Sequence, residues 1–133
     1  MSGLTRRRRS VLDRKLVAAF TAARIGYALA VMVTPRRMGR PWLGDAVDLS
    51  GGRVAARALV ARDAALSVGF GLCAWHGAPA RPWLAAIIAS DTADLVSTVL
   101  DPDDLPRQAV PGVIAAAGGM ALAGIALYRA AED

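Results

Sequence analysis

The chain has a single cysteine, Cys73, and a single histidine, His76. A lone thiol excludes an internal disulfide, and a lone imidazole leaves no ligand set for zinc. Aromatic residues amount to 5%, which is no platform for stacking nucleic-acid bases. No second basic stripe accompanies the one arginine run, so a nucleic-acid partner is not expected. There is no phosphate-binding glycine loop, no His-Glu metal helix and no nucleophile elbow. Neither a cofactor nor a metal is expected. At 133 residues the chain also lacks room for a second core.

What the chain does have is apolar mass: 55% hydrophobic residues and a mean hydropathy of +0.38. Ala, Val and Leu supply most of it, with Gly and Arg frequent. That mix suits helices that approach closely, and GC-rich coding produces it too. Net charge is +5, unevenly placed. Arg6, Arg7, Arg8 and Arg9, then Arg14 and Lys15, stand directly before the first apolar segment. Such a juxtamembrane cluster is expected to meet anionic lipid headgroups, at about 1 kcal/mol per charge, and to mark the cytoplasmic side. Residues 1–14 thus read as a basic cytoplasmic segment and 15–133 as one membrane domain.

Arg8-Arg9-Ser10-Val11-Leu12 has the form of a twin-arginine export signal, and Ala28-Leu29-Ala30 offers a small-x-small cleavage site. Arg24 interrupts its apolar region and Asp13 sits in its basic part. Further apolar segments follow, which argues against export of a soluble product.

Four segments are of spanning length, near 15–33, 53–75, 83–100 and 110–128. A bilayer core of about 30 Å requires roughly 20 helical residues. The last segment carries no charge from Gln108 to Tyr128; in a soluble bundle it would be hydrophobic all round. Pro111 falls in its first turn, where a missing N–H is harmless. Trp75 closes the second segment, Trp83 opens the third, and Trp42 lies in the loop after the first, as expected of residues that favour the headgroup region. The fold class expected is all-α, a four-helix transmembrane bundle in the cytoplasmic (inner) membrane, N-terminus inside. Four spans put Arg36, Arg37 and Arg40 outside, against the positive-inside rule. If the first segment lay along the surface, the spans would number three.

Placed symmetrically in a bilayer, the segments bring charges to one depth: Arg24 in the first, Arg62 and Asp63 in the second, Asp91 and Asp94 in the third. Each costs about 2.5–3.5 kcal/mol at a helix centre, so the second segment should insert poorly without partners. The expected pairs are Arg62 with an aspartate of the third span, and Arg24 with Asp63. Asp91, Asp94, Thr98 and Asp101 share one helix face; Ile88, Leu95 and Val99 share another, suited to lipid. Asp63, Ser67 and Gly71 form an inward stripe. Ala115, Gly119 and Ala123 form a small-residue seam that fits packing inside the bundle or a dimer.

The cluster has two readings. In one, Arg–Asp pairs fix helix order and the protein is an interaction or binding module, in a homo-oligomer or membrane complex. In the other, Asp63, Asp91 and Asp94 serve a small enzyme or transporter as acid–base or proton-carrying groups. Asp45, Asp48, Gly51, Gly52 and Arg57 share residue types with membrane enzymes that transfer phosphoalcohols from CDP-linked donors. Their spacing is wrong and a later Asp pair is missing. Asp101-Pro-Asp-Asp104 is too short a loop for an oxygen cage around a hard cation.

Ala61-Arg62-Asp63, the Leu66-to-Leu72 stretch with Gly69 and Gly71, and Trp83 followed by Asp91 and Asp94 together resemble a family of small, uncharacterised four-helix integral membrane proteins from GC-rich bacteria. The resemblance spans about the middle half of the chain. It implies a four-helix membrane domain and brings no catalytic residue. Ala23-Arg24-Ile-Gly26 and Ala61-Arg62-Asp-Ala64 suggest a faint internal repeat.

Overall fold

The computed structural model describes residues 13–131. Within them every regular element is helical, with short turns between: α1 Arg14–Val33, α2 Pro35–Leu43, a 3-10 turn Gly44–Asp48, α3 Ser50–His76, α4 Arg81–Leu100 and α5 Ala109–Ala130. Arg6 to Arg9 and the twin-arginine pattern lie outside the described residues.

Local chemistry sets each boundary. The Asp13 carboxylate accepts from the Lys15 backbone N–H and caps α1. Thr34 leaves helical geometry ahead of Pro35, as a residue before proline tends to, and its hydroxyl donates back to the Ala30 carbonyl at 2.8 Å. Pro35 then opens α2, where its missing N–H costs nothing. Gly77, at φ 69°, closes α3 in the left-handed conformation that glycine adopts freely.

Four of these helices, α1, α3, α4 and α5, are long and apolar enough to cross a membrane. Trp42 is not in a loop: it belongs to α2, a short helix that follows α1 and packs against α1, α3 and the start of α5. Pro35 and Gly39 turn inward on α2, while Arg36, Arg37 and Arg40 stay exposed. Arg40 pairs with Asp45 and Asp48, and Arg36 reaches Asp48 at 3.5 Å. Arg36 and Arg40 are therefore held in a local network with the 3-10 turn.

The long helices pack in the order α1–α3–α4–α5. No Cα atom of α1 comes within 8 Å of one in α5 or α4. The row is consequently not closed by α1–α5 backbone packing, although α2 contacts both helices at one end and their opposite ends share the Phe70 core cluster. One core cluster centres on Phe70, Leu84 and Ile87, all fully buried, with Phe20 edge-on to Phe70 at 5.8 Å between ring centres. A second holds Ala28, Val31, Ala56 and Val60 where α1 crosses α3.

Glycines set how closely the helices approach. A methyl at Gly69 would lie 2.3–2.5 Å from ring atoms of Trp83, and one at Gly52 would lie 2.0 Å from the Ala46 carbonyl oxygen. In α5 the small residue used for packing is Gly124, which lies against Ile88. One expectation changes as a result. Ile88 faces α5 rather than lipid, because Gly124 leaves it room. Of the seam Ala115, Gly119, Ala123, the last packs against the core, while Ala115 and Gly119 are exposed.

Polarity runs opposite to that of a water-soluble protein. Arg24, Ser67, Ser90, Asp91 and Thr98 are buried, whereas Leu16, Leu29, Leu72, Val99, Leu100 and Leu122 are at least half exposed. Near the end where α1 begins, the Arg14 guanidinium lies over Trp75 at 5.2 Å and that of Arg81 over Tyr128 at 5.0 Å.

Candidate functional site

The five charged residues singled out in the sequence converge on one place. Arg24 extends from α1 across the bundle to α4, where it binds Asp91 with both ends of its fork: Nη1 to Oδ2 at 2.7 Å and Nη2 to Oδ1 at 2.9 Å. Its Nε donates to the Ser67 hydroxyl on α3 at 3.0 Å. Ser67 in turn donates to the Asp63 backbone carbonyl one turn earlier, at 2.6 Å. The Phe20 ring lies 5.7 Å from the guanidinium carbon. Bidentate carboxylate, hydroxyl and ring satisfy a cation that is only 6% exposed.

The expected Arg24–Asp63 pair is the secondary one, at 3.7 Å. Asp91 takes precedence because Arg24 has the length to span the gap that the α1 and α4 backbones leave. Arg62 meets the expectation of a partner on the third span: its Nη2 donates to Asp94 Oδ2 at 2.7 Å. It also donates to Asp63 Oδ1, from Nε at 3.1 Å and Nη2 at 3.0 Å. Ser90 donates to that same oxygen at 3.2 Å. One carboxylate oxygen from each of Asp63, Asp91 and Asp94 lies within 4.8 Å of the others.

Asp63, Ser67 and Gly71 form the inward stripe on α3, with Gly71 set against Thr21 of α1. On α4, Asp91 and Thr98 are buried and Asp94 is partly so, while Asp101 at the end of the same face is exposed. Thr98 donates to the Asp94 carbonyl at 2.8 Å and accepts from the Trp42 indole at 3.2 Å, which ties α2 to α4. That link has no signature along the chain, since nothing in the spacing says that α2 folds back.

Beside the cluster lies a cavity of about 550 Å³ between α1 and α5, with α3 and α4 behind it and α2 at one end. Asp63, Asp91 and Asp94 line it, as do Arg24, Tyr27 and Trp42. The remaining wall is aliphatic, including Val31, Met38, Leu59, Val60 and Met120. On the α5 side the wall passes through a π-helical turn, Ile114–Gly118, from which Ala116 and Ala117 line the space. Single π turns widen a helix locally and often occur at functional sites.

Charge counting constrains what the site can do. With all five groups ionised, two guanidiniums face three carboxylates, leaving one negative charge in excess. A divalent metal would overshoot that excess by one charge. Each carboxylate also already accepts from Arg24 or Arg62. Compared with known proteins, the chain matches no family model, no curated sequence and no solved structure.

Proposed function

We propose that this chain is a multi-pass integral membrane protein in which the Arg24/Arg62/Asp63/Asp91/Asp94 cluster fixes the helix order around a ligand cavity, making it a membrane-embedded binding module. The observation that carries this reading is the inverted polarity: ion pairs inside, large apolar side chains outside. In water, exposing so many Leu and Val side chains is unfavourable. In lipid it is required, and intramembrane charges are confined to the bundle interior or a cavity.

The fold supports four spans rather than a surface-lying first segment, since α1 packs along α3 and sends Arg24 to the centre. The basic N-terminal side is then the cytoplasmic face of a bacterial inner membrane, with Arg6 to Arg9, Arg14 and Lys15 at anionic headgroups. This is the architecture that the resemblance to small four-helix bacterial membrane proteins implies. A homo-oligomer or larger membrane complex remains part of the proposal, for which the exposed Ala115 and Gly119 offer a close-packing face.

A second reading, a small enzyme or transporter using the aspartates as acid–base or proton-carrying groups, is favoured by one observation. The cavity reaches all three carboxylates.

The test is extraction and labelling. The chain should stay in the membrane pellet through alkaline carbonate and dissolve only in detergent. With Cys73 replaced by Ala, cysteines placed at Arg37 and Asp103 should react with an impermeant thiol reagent from one side, and one at Arg129 from the other. A chain that is soluble without detergent sinks the membrane reading; Arg37 and Arg129 reacting from the same side sinks the four-span topology.

A further inference from the structure

We infer that the cavity binds a monovalent organic cation with an apolar body, held beside the acidic cluster; the inference rests on the membrane reading above and names the ligand class of that same site. Three observations lead to it. The first is charge: the cluster holds one more carboxylate than guanidiniums, and an uncompensated charge at this depth is costly. One unit of positive charge restores balance, whereas a divalent ion or an anion does not.

The second is the position of the excess. Among the described residues, hydrogen bonds engage both oxygens of Asp91, but only Oδ1 of Asp63 and only Oδ2 of Asp94. Asp63 and Asp94 each keep a second oxygen without a donor, and both residues line the cavity.

The third is the wall. Away from the three carboxylates the wall is mostly aliphatic, which favours an apolar body over the hydration shell of a bare ion. The space, about 550 Å³, matches an organic molecule of tens of atoms. Tyr27 and Trp42 add ring faces that attract cations. The cavity lies between α1 and α5, which no close backbone packing joins, so a lipid-dissolved cation would enter from that side.

A proton is the competing occupant. The ionisable groups lining the cavity are Arg24 and Tyr27 from α1, Asp63 from α3, and Asp91 and Asp94 from α4, with Arg62 bonded to two of these carboxylates. The linings from α2 and α5 contribute none. Acidification should therefore weaken cation binding.

The experiment uses the full chain purified in detergent and two probes of equal size and opposite charge, tetraphenylphosphonium and tetraphenylborate, followed by calorimetry. The phosphonium should bind and the borate should not. Asp94→Asn removes the excess charge, leaves Arg62 its bonds to Asp63, and should weaken phosphonium binding by about tenfold or more. Ala117→Trp narrows the cavity, leaves every charge in place, and should weaken phosphonium binding by about tenfold or more, which keeps the test decisive should Asp94→Asn fold poorly. If both probes bind equally and Asp94→Asn changes neither, the cation inference is overturned while the binding module stands. If neither probe binds, the cation inference is overturned as well. The membrane reading fails separately, in the extraction experiment.

Discussion

Arg24 and Arg62 are chemically alike and energetically different. Arg24 is sealed between α1, α3 and α4 with one carboxylate matched to its fork. Arg62 is about one-third exposed and divides its bonds between two carboxylates. Removing the partner of a buried charge costs roughly 3–5 kcal/mol, because the remaining ion keeps its desolvation penalty. Asp91→Asn should thus lower stability by that order in detergent unfolding, and Asp94→Asn by about 1.5 kcal/mol, the worth of one charged hydrogen bond. The double variant Arg24→Met/Asp91→Leu should recover most of the loss. Equal effects of the two Asn variants would contradict this division. All five charged residues were legible in the sequence, since a charge inside an apolar run stands out. The partner of Arg24 was not. Choosing Asp91 over Asp63 depends on how far apart the helices stand, which spacing along one chain does not encode.

Helix ends and helix contacts were legible to different degrees. The four long segments followed from apolar length, proline and the Asp101-Pro-Asp-Asp turn, and the helices match them to within a few residues, α3 reaching back to Ser50. α2 was missed: Pro35 and Pro41 bracket a segment whose burial rests only on Pro35 and Gly39. Which small residues carry packing was also hidden, because Gly51, Gly52, Gly69, Gly119 and Gly124 look alike in one dimension. In space they divide. A methyl at Gly51 meets nothing within 4 Å, whereas one at Gly52 meets the Ala46 carbonyl. Gly51→Ala should therefore be neutral or stabilising by up to about 1 kcal/mol through helix propensity. Gly52→Ala should cost about 1–3 kcal/mol, since a backbone oxygen cannot rotate away. Gly69→Ala should displace Trp83 and shift its fluorescence emission. Thermal unfolding of the three variants, with emission spectra, checks the ordering; equal melting of Gly51→Ala and Gly52→Ala would refute the close approach of α3 to the 3-10 turn.

For the whole molecule, the charge balance has a history as well as a geometry. The cluster is completed in chain order: Arg24 arrives with α1, Arg62 and Asp63 with α3, and Asp91 and Asp94 only with α4. Until α4 emerges, the cluster holds two arginines and one aspartate, an excess of one positive charge. On the membrane reading proposed above, lateral release of α1 and α3 into lipid is unfavourable in that state, at a few kcal/mol per unmatched charge. A chain ended in the turn after α3, near Gly77, should remain extractable by alkaline carbonate, while one that includes α4 and ends at Asp104 should resist it. Resistance of the shorter chain would show that α1 and α3 settle without their acidic partners. On the proposed membrane reading, biogenesis acquires an electrostatic order: α1 and α3 are expected to be retained by the insertion machinery until α4 brings the two aspartates.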